Sequence, residues 1–213
     1  LEKAKDTHEN KVFYVSDLEK QSQYIKLFKE YGIDAVILNT PIDNNFMSFL
    51  EYKDQNVKFT RVDSDISDLL KESSENKEDK KEENEKIIKV FKDVIGEKMK
   101  EYSVESLKNE STPVMILTSE YSRRMAEMQK QFGGNMMEGM NFPQERTLVI
   151  NDKNPIVKKL VSLADNEDKK EKVSLIVNQV VDLALIANKE LNAEELDTFI
   201  KRTNELMTMV IDL

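Results

Sequence analysis

The chain has 213 residues, of which 39% are hydrophobic and 34% charged, and a formal net charge of −9. That length suits one large domain or two small ones, and an acidic surface without a cluster of lysine and arginine argues against nucleic acid as the main partner. There is no cysteine, which excludes disulfides, zinc thiolate sites and thiol nucleophiles and fits a reducing, cytoplasmic setting.

Three β-prone runs open the chain: Lys11 to Val15, Asp34 to Asn39 and Val57 to Val62. Between the first two lies a helical pattern with Leu18, Tyr24, Ile25, Leu27, Phe28 and Tyr31, which Gly32 ends as a left-handed cap. Between the second and third lies a shorter helix carrying Phe46, Met47 and Leu50. This alternation predicts a small parallel sheet over residues 1–70. Lys71 to Glu85 lacks any apolar residue, so it cannot add to a core and reads as a charged linker or the solvated start of a helix. Residues 86–213 form the expected second domain. Its first helix runs from about Asn84 to Tyr102 on Ile87, Ile88, Phe91, Val94, Ile95 and Met99. Strands are expected at Val104 to Leu107, Val114 to Thr118 and Arg146 to Ile150, in a mostly antiparallel sheet.

Tyr121 to Phe142 holds five of the ten methionines and three of the five glycines. Tyr121, Met125, Met128 and Phe132 have helical spacing; Met136, Met137, Met140 and Phe142 follow the break at Gly133 and Gly134. Unbranched, polarizable side chains on a glycine-rich backbone suit a surface that accepts many differently shaped apolar partners. Met125, Met128 and Phe132 also read as the buried stripe of an ordinary helix, and both readings stand.

Asn154 and Pro155 open the next helix as N-cap and first residue. Val173 to Ala187 is apolar nearly all round, which in a soluble chain means burial on more than one side, although Asn178, Gln179 and Asp182 interrupt it as a membrane span. Asn192 and Glu195 form a capping box for the last helix. Ile176, Val180, Leu183 and Ala184 on the first of these two helices face a partner in this reading. So do Leu196, Phe199, Ile200, Leu206, Met207 and Val210 on the second. A second copy of the chain is the natural cover, giving a homodimer through a helical bundle.

Little in the chain points to catalysis. His8, the single histidine, lies in a polar stretch and reads as a solvated tail residue; no glycine-rich phosphate loop follows a strand. Asp17, Asp43 and Asp63 stand near strand ends, where Ser16 with Asp17, and Asp43, read as helix caps; Arg123 and Arg124 read as a solvated helix face or a contact for an acidic partner. No catalytic, cofactor-binding or metal residue is expected.

The order of these features resembles the C-terminal half of a bacterial heat-shock protein 90 family chaperone of the HtpG type. KVFYVSD followed by KLFKEYGIDAVILNTPIDNNFMSFLE resembles the last α/β subdomain of that family's middle segment. FKDVIGEKMKEYSVESLKNESTPVMILTSEYSRRMAEMQKQFGG resembles the start of its C-terminal domain, and NPIVKKL with the two final helices resembles its dimerisation element. The resemblance implies a small α/β unit followed by an α+β domain ending in a helical dimerisation bundle. It also implies an ATP-driven chaperone of non-native client proteins, with ATP and magnesium bound upstream of this chain and no membrane or nucleic-acid partner. Client contact then falls on Met125 to Phe142 and dimerisation on Val173 to Leu213. The chain reads as a piece of a longer protein, and it ends without the acidic tail motif of cytosolic eukaryotic relatives, which fits a bacterial member. The alternative reading is an α/β ligand-binding or enzyme domain with a C-terminal dimeriser.

Overall fold

The computed structural model describes residues 10–64, 80–125 and 145–211. The fold is mixed α/β, with two small sheets. The chain divides into two compact units, Leu1–Ile66 with Leu117–Glu145 and Ser67–Ile116 with Arg146–Leu213. Residues 117–125 and 145, expected with the second domain, group with the first unit.

In the first unit, β1 (Lys11–Val15), α1 (Ser22–Glu30), β2 (Val36–Ile37), α2 (Asp43–Lys53) and β3 (Lys58–Arg61) follow one another. β1 is central and parallel to both neighbours, with Tyr14 opposite Val36 and Phe13 opposite Thr60. Both faces of a central parallel strand are covered, so its residues are apolar on both sides. Phe13 meets Phe28 of α1 edge to face at 5.0 Å, while Tyr14 packs with Met47 of α2 and Phe59 of β3. Helix α1 ends as expected. Gly32 takes φ +66°, its N–H bonds to the Lys29 carbonyl, and the Ile33 N–H reaches the Phe28 carbonyl at 2.9 Å. These are the two bonds of a Schellman motif, which needs a residue without a Cβ penalty in the left-handed position. β2 is shorter than the Asp34 to Asn39 run.

The second unit contains α3 (Lys81–Ile95), β4 (Glu101–Glu105), β5 (Val114–Thr118) and β6 (Arg146–Asn151). The helices α4 (Pro155–Leu163), α5 (Lys170–Ala187) and α6 (Ala193–Ile211) follow. Helix α3 takes up the end of the charged run, Lys81 to Glu85, but stops well before Tyr102. Gly96 has φ +59° and ψ −133°, Gly96–Lys98 form a 3₁₀ turn, and Met99 is buried from an extended backbone. The next strand therefore starts at Glu101 instead of Val104.

The sheet order is β4-β6-β5. β4 runs parallel to β6, with Tyr102 opposite Leu148. The Asn151 N–H bonds to the Pro113 carbonyl and the Ser119 N–H to the Glu145 carbonyl, so β5 and β6 run in opposite directions. The sheet is mixed, which corrects the expectation of a mostly antiparallel one. Its core joins Ile87, Phe91 and Ile95 of α3 to Ile116, Leu148 and Ile150 of the sheet, Val157 and Leu160 of α4, and Val177 and Val181 of α5.

Both expected caps form. Asn154 Oδ1 accepts from the Ile156 and Val157 N–H groups. The Asn192 N–H donates to Glu195 Oε2 at 2.9 Å while Asn192 Oδ1 accepts from the Glu195 N–H at 3.0 Å.

Candidate functional site

Helix α6 carries no buried residue along its 19 positions. Leu196, Ile200, Met207 and Val210 are exposed, Val210 at 70%, while Phe199 and Leu206 are half-buried. Against α5 it is held largely by polar pairs: Gln179 Nε2 donates to Thr203 Oγ1 at 2.8 Å, and Arg202 Nη1 to Asp182 Oδ2 at 2.7 Å. Of the expected partner-facing residues on α5, Leu183 is exposed and Ile176 is partly buried against the core. Val180 and Ala184 lie inside the core of the second unit in the single chain. The structure thus leaves apolar side chains exposed along α6, and Leu183 exposed on α5, and puts two of the ten residues, Val180 and Ala184, in the core.

Of the methionine-rich set, Met125 is half-buried. Met128, Phe132, Met136, Met137, Met140 and Phe142 lie outside the described residues, as does His8.

The chain that leads into this set is helical at residues 120–125 and sits in an ionic network within the first unit. Glu120 Oε1 accepts from the Tyr14 hydroxyl at 2.6 Å, from Arg123 Nη2 at 2.7 Å and from Arg124 Nε at 2.7 Å. Arg123 also donates to the Tyr14 hydroxyl oxygen, and its guanidinium carbon lies 5.7 Å from the Tyr14 ring centre. Arg124 reaches Glu51 of α2 through Nη1 to Oε2 at 2.8 Å, while Glu51 Oε1 accepts from the Phe59 N–H at 2.8 Å. Arg123 is 2% exposed, so the expectation of a solvated arginine face is corrected. A buried guanidinium persists only when paired.

Burial pushes the Tyr14 hydroxyl well above its ordinary pKa, and the Glu120 charge adds to that rise. For Glu120, burial works upward, but the Arg123 hydrogen bond and charge, then Tyr14 and Arg124, hold the carboxyl below its usual value. Burial works downward on Arg124, yet Glu51 and Glu120 raise it further above its ordinary range. The Tyr14 hydroxyl, the Glu120 carboxylate and the Arg124 guanidinium therefore keep fixed protonation states near neutral pH. Such a set holds structure and does not shuttle protons.

Sequence reasoning missed this network because Tyr14, Glu51 and Glu120 are remote in the chain. Of the residues Phe46, Met47 and Leu50 read on α2, the structure buries Met47, half-buries Leu50, and exposes Phe46 together with Ile42, Phe49 and Tyr52, the last at 85%. The spacing 42, 46, 49 was the available signal, since it marks a second apolar face on one helix.

Asp17 and Asp43 are not the helix caps expected: α1 begins at Ser22 after Gln21 and α2 at Asp43 after Ile42, neither with a side-chain cap. Asp17 Oδ1 accepts from the Glu19 and Lys20 N–H groups at 3.0 Å in the turn before α1, and Asp43, already in the helix, accepts from the Thr40 N–H through Oδ2 at 2.7 Å. Asp63 instead pairs with Arg61 and accepts from Gln21 Nε2 at 2.9 Å. Among the described residues, no three histidine or acidic side chains converge as a metal site, and no helix is long and apolar enough to cross a membrane.

The sequence model of the family described as Hsp90 protein matches residues 2–213. The chaperone protein HtpG of Bacteroides thetaiotaomicron is 28% identical over 263 residues, covering 91% of this chain and 38% of the relative. That of Bacteroides fragilis (strain 638R) is 28% identical over 272 residues, covering 95% and 39%. That of Psychrobacter cryohalolentis is 28% identical over 194 residues, covering 88% and 28%. The chain thus spans well under half the length of these relatives.

Proposed function

The chain belongs to the Hsp90 protein family, and from that membership we propose that it is the client-binding and homodimerising region of an ATP-dependent molecular chaperone. The relatives' name, chaperone protein HtpG, supports a role in folding non-native proteins. In this reading ATP and magnesium act in the whole protein, outside this chain, and the chain neither binds nor hydrolyses the nucleotide. The whole protein works in the cytoplasm, without a nucleic-acid or membrane partner.

The observation that carries the dimer is α6, a helix with no buried residue and an apolar stripe along its length. A helix held to its own chain by two polar pairs gains the rest of its stability from a second surface, because packing of an apolar face supplies most helical stability. Two α5–α6 pairs about a two-fold axis bring Leu183, Leu196, Ile200, Met207 and Val210 against their copies, with Ile176, Phe199 and Leu206 at the margin. Val180 and Ala184 shape that surface from behind.

Clients bind at Met125, Met128, Phe132, Met136, Met137, Met140 and Phe142. Methionine supplies adaptable apolar contact, each weak alone, and two copies per dimer raise the apparent affinity for a client that spans both. Changing Met136, Met137 and Met140 together to serine should weaken suppression of a model client's aggregation while leaving dimerisation and thermal stability nearly unchanged. A sharp fall in stability would make these methionines core residues; intact client protection would put the client site elsewhere.

A further inference from the structure

We propose that Tyr14, Glu51, Glu120, Arg123 and Arg124 form a releasable clasp. It docks helical residues 120–125 on the α/β sheet of the first unit and lets them open locally while that sheet stays folded. The proposal does not depend on the client reading, although the docked helix is the root of the methionine-rich stretch.

The first reason is what the root buries. Its buried residues are Ser122 and Arg123, both polar, whereas its large ring, Tyr121, is 73% exposed. The apolar cluster of the sheet, Tyr14, Met47 and Phe59 with Val12, Leu38, Leu50 and Val57, takes no side chain from the root. Docking is therefore made mainly of charge and hydrogen bonds, with Met125 half-buried at its end, and undocking leaves that apolar cluster assembled.

The second reason is charge balance. Two guanidiniums face two carboxylates, and Glu120 Oε1 alone serves three donors. Removing Glu51 leaves Arg123 and Arg124 sharing one carboxylate, a penalty that a partly buried site does not screen well. Glu120 Oε2 is buried without a hydrogen-bond partner, so the docked state is not fully satisfied and leaves room for opening.

The third reason is the tie to Glu145. The Ser119 N–H bonds to the Glu145 carbonyl at 3.1 Å, and the Glu145 N–H to Ser122 Oγ at 3.2 Å. The second of these bonds opens when residues 120–125 undock, so release of the root also frees the Glu145 N–H.

Hydrogen exchange on the full 213-residue chain, resolved by peptide mass spectrometry, tests this. Glu51→Gln and Arg124→Met should each speed exchange across residues 120–125 by about tenfold or more, since each removes a charge-assisted bond. Peptides covering β1 and α1 should keep their wild-type rates. Tyr121→Ala should leave residues 120–125 at their wild-type rates. Unaltered exchange at 120–125 in the two charge variants overturns the proposal. So does an equal rise in β1 and α1, which would make the network part of one cooperative core, or a larger effect from Tyr121→Ala, which would make the docking apolar.

Discussion

Asn151, fully buried at the end of β6, uses both ends of its amide on the main chain. Its Nδ2 donates to the Asn109 and Thr112 carbonyls at 2.9 Å, and its Oδ1 accepts from the Leu107 and Lys153 N–H groups. Replacement by leucine strands these groups, and Asn151→Leu should lose about 3 kcal/mol or more of unfolding free energy in urea titration, at roughly 1–3 kcal/mol per stranded buried group. Glu120 gives a pH dependence with a definite sign. Its carboxyl is held below the ordinary value of 4.5 in the folded chain, so its ionised form contributes stability above that pH, lost as pH falls through the folded value. The unfolding free energy of the unsubstituted chain should exceed that of Glu120→Gln at neutral pH. The two curves should converge in strong acid, and parallel curves in a denaturant series would contradict the assignment. Asn154 was legible in the sequence because its capping partners lie two and three residues on and Pro155 marks the helix start. The Asn151 bonds to Leu107, Asn109 and Thr112 and the Glu120 bond to Tyr14 were not, because those partners lie about forty and a hundred residues away in sequence, where periodicity carries no information.

At the scale of elements, the early stop of α3 is the instructive case. Its apolar spacing continues to Met99, and a reading by period alone extends the helix, but Gly96 adopts a backbone conformation that is essentially reserved for glycine. No atom lies within 4 Å of a Cβ added at Gly96, so Gly96→Ala tests the backbone alone. It should cost about 1–3 kcal/mol in thermal or urea unfolding, the range for a residue forced into a sparsely populated conformation. Gly32→Asn should cost less, since asparagine tolerates the left-handed position. The same limit explains the second sheet. The strand runs Val114 to Thr118 and Arg146 to Ile150 were visible as β-prone, but strand direction depends on how the intervening chain returns, and the residues between them carry no hairpin signature. The first sheet was legible because strands alternating with helices permit few arrangements.

For the whole molecule, the separation of stable core from apolar surface on the last two helices sets a contrast between variants. Changing Phe199 and Ile200 to charged residues should yield monomers that keep both sheets, as read by sedimentation and far-ultraviolet dichroism. Val177→Asp, at a fully buried site, should unfold the second unit instead. An unchanged dimer after the first substitution would remove the dimer reading. Composition and helical pattern made the apolar excess of these helices plain, but not its division, because α5 is apolar on nearly every side and only packing decides which side is covered. The parallel pairing of β4 with β6 also bears on synthesis. About forty residues, numbers 106–145, separate the two strands. A ribosome adding about 5–20 residues per second therefore needs roughly 2–8 s after β4 to deliver its partner. Through that interval a nascent copy carries an unpaired strand edge, with Ile87 and Phe91 of α3 awaiting a sheet that does not yet exist.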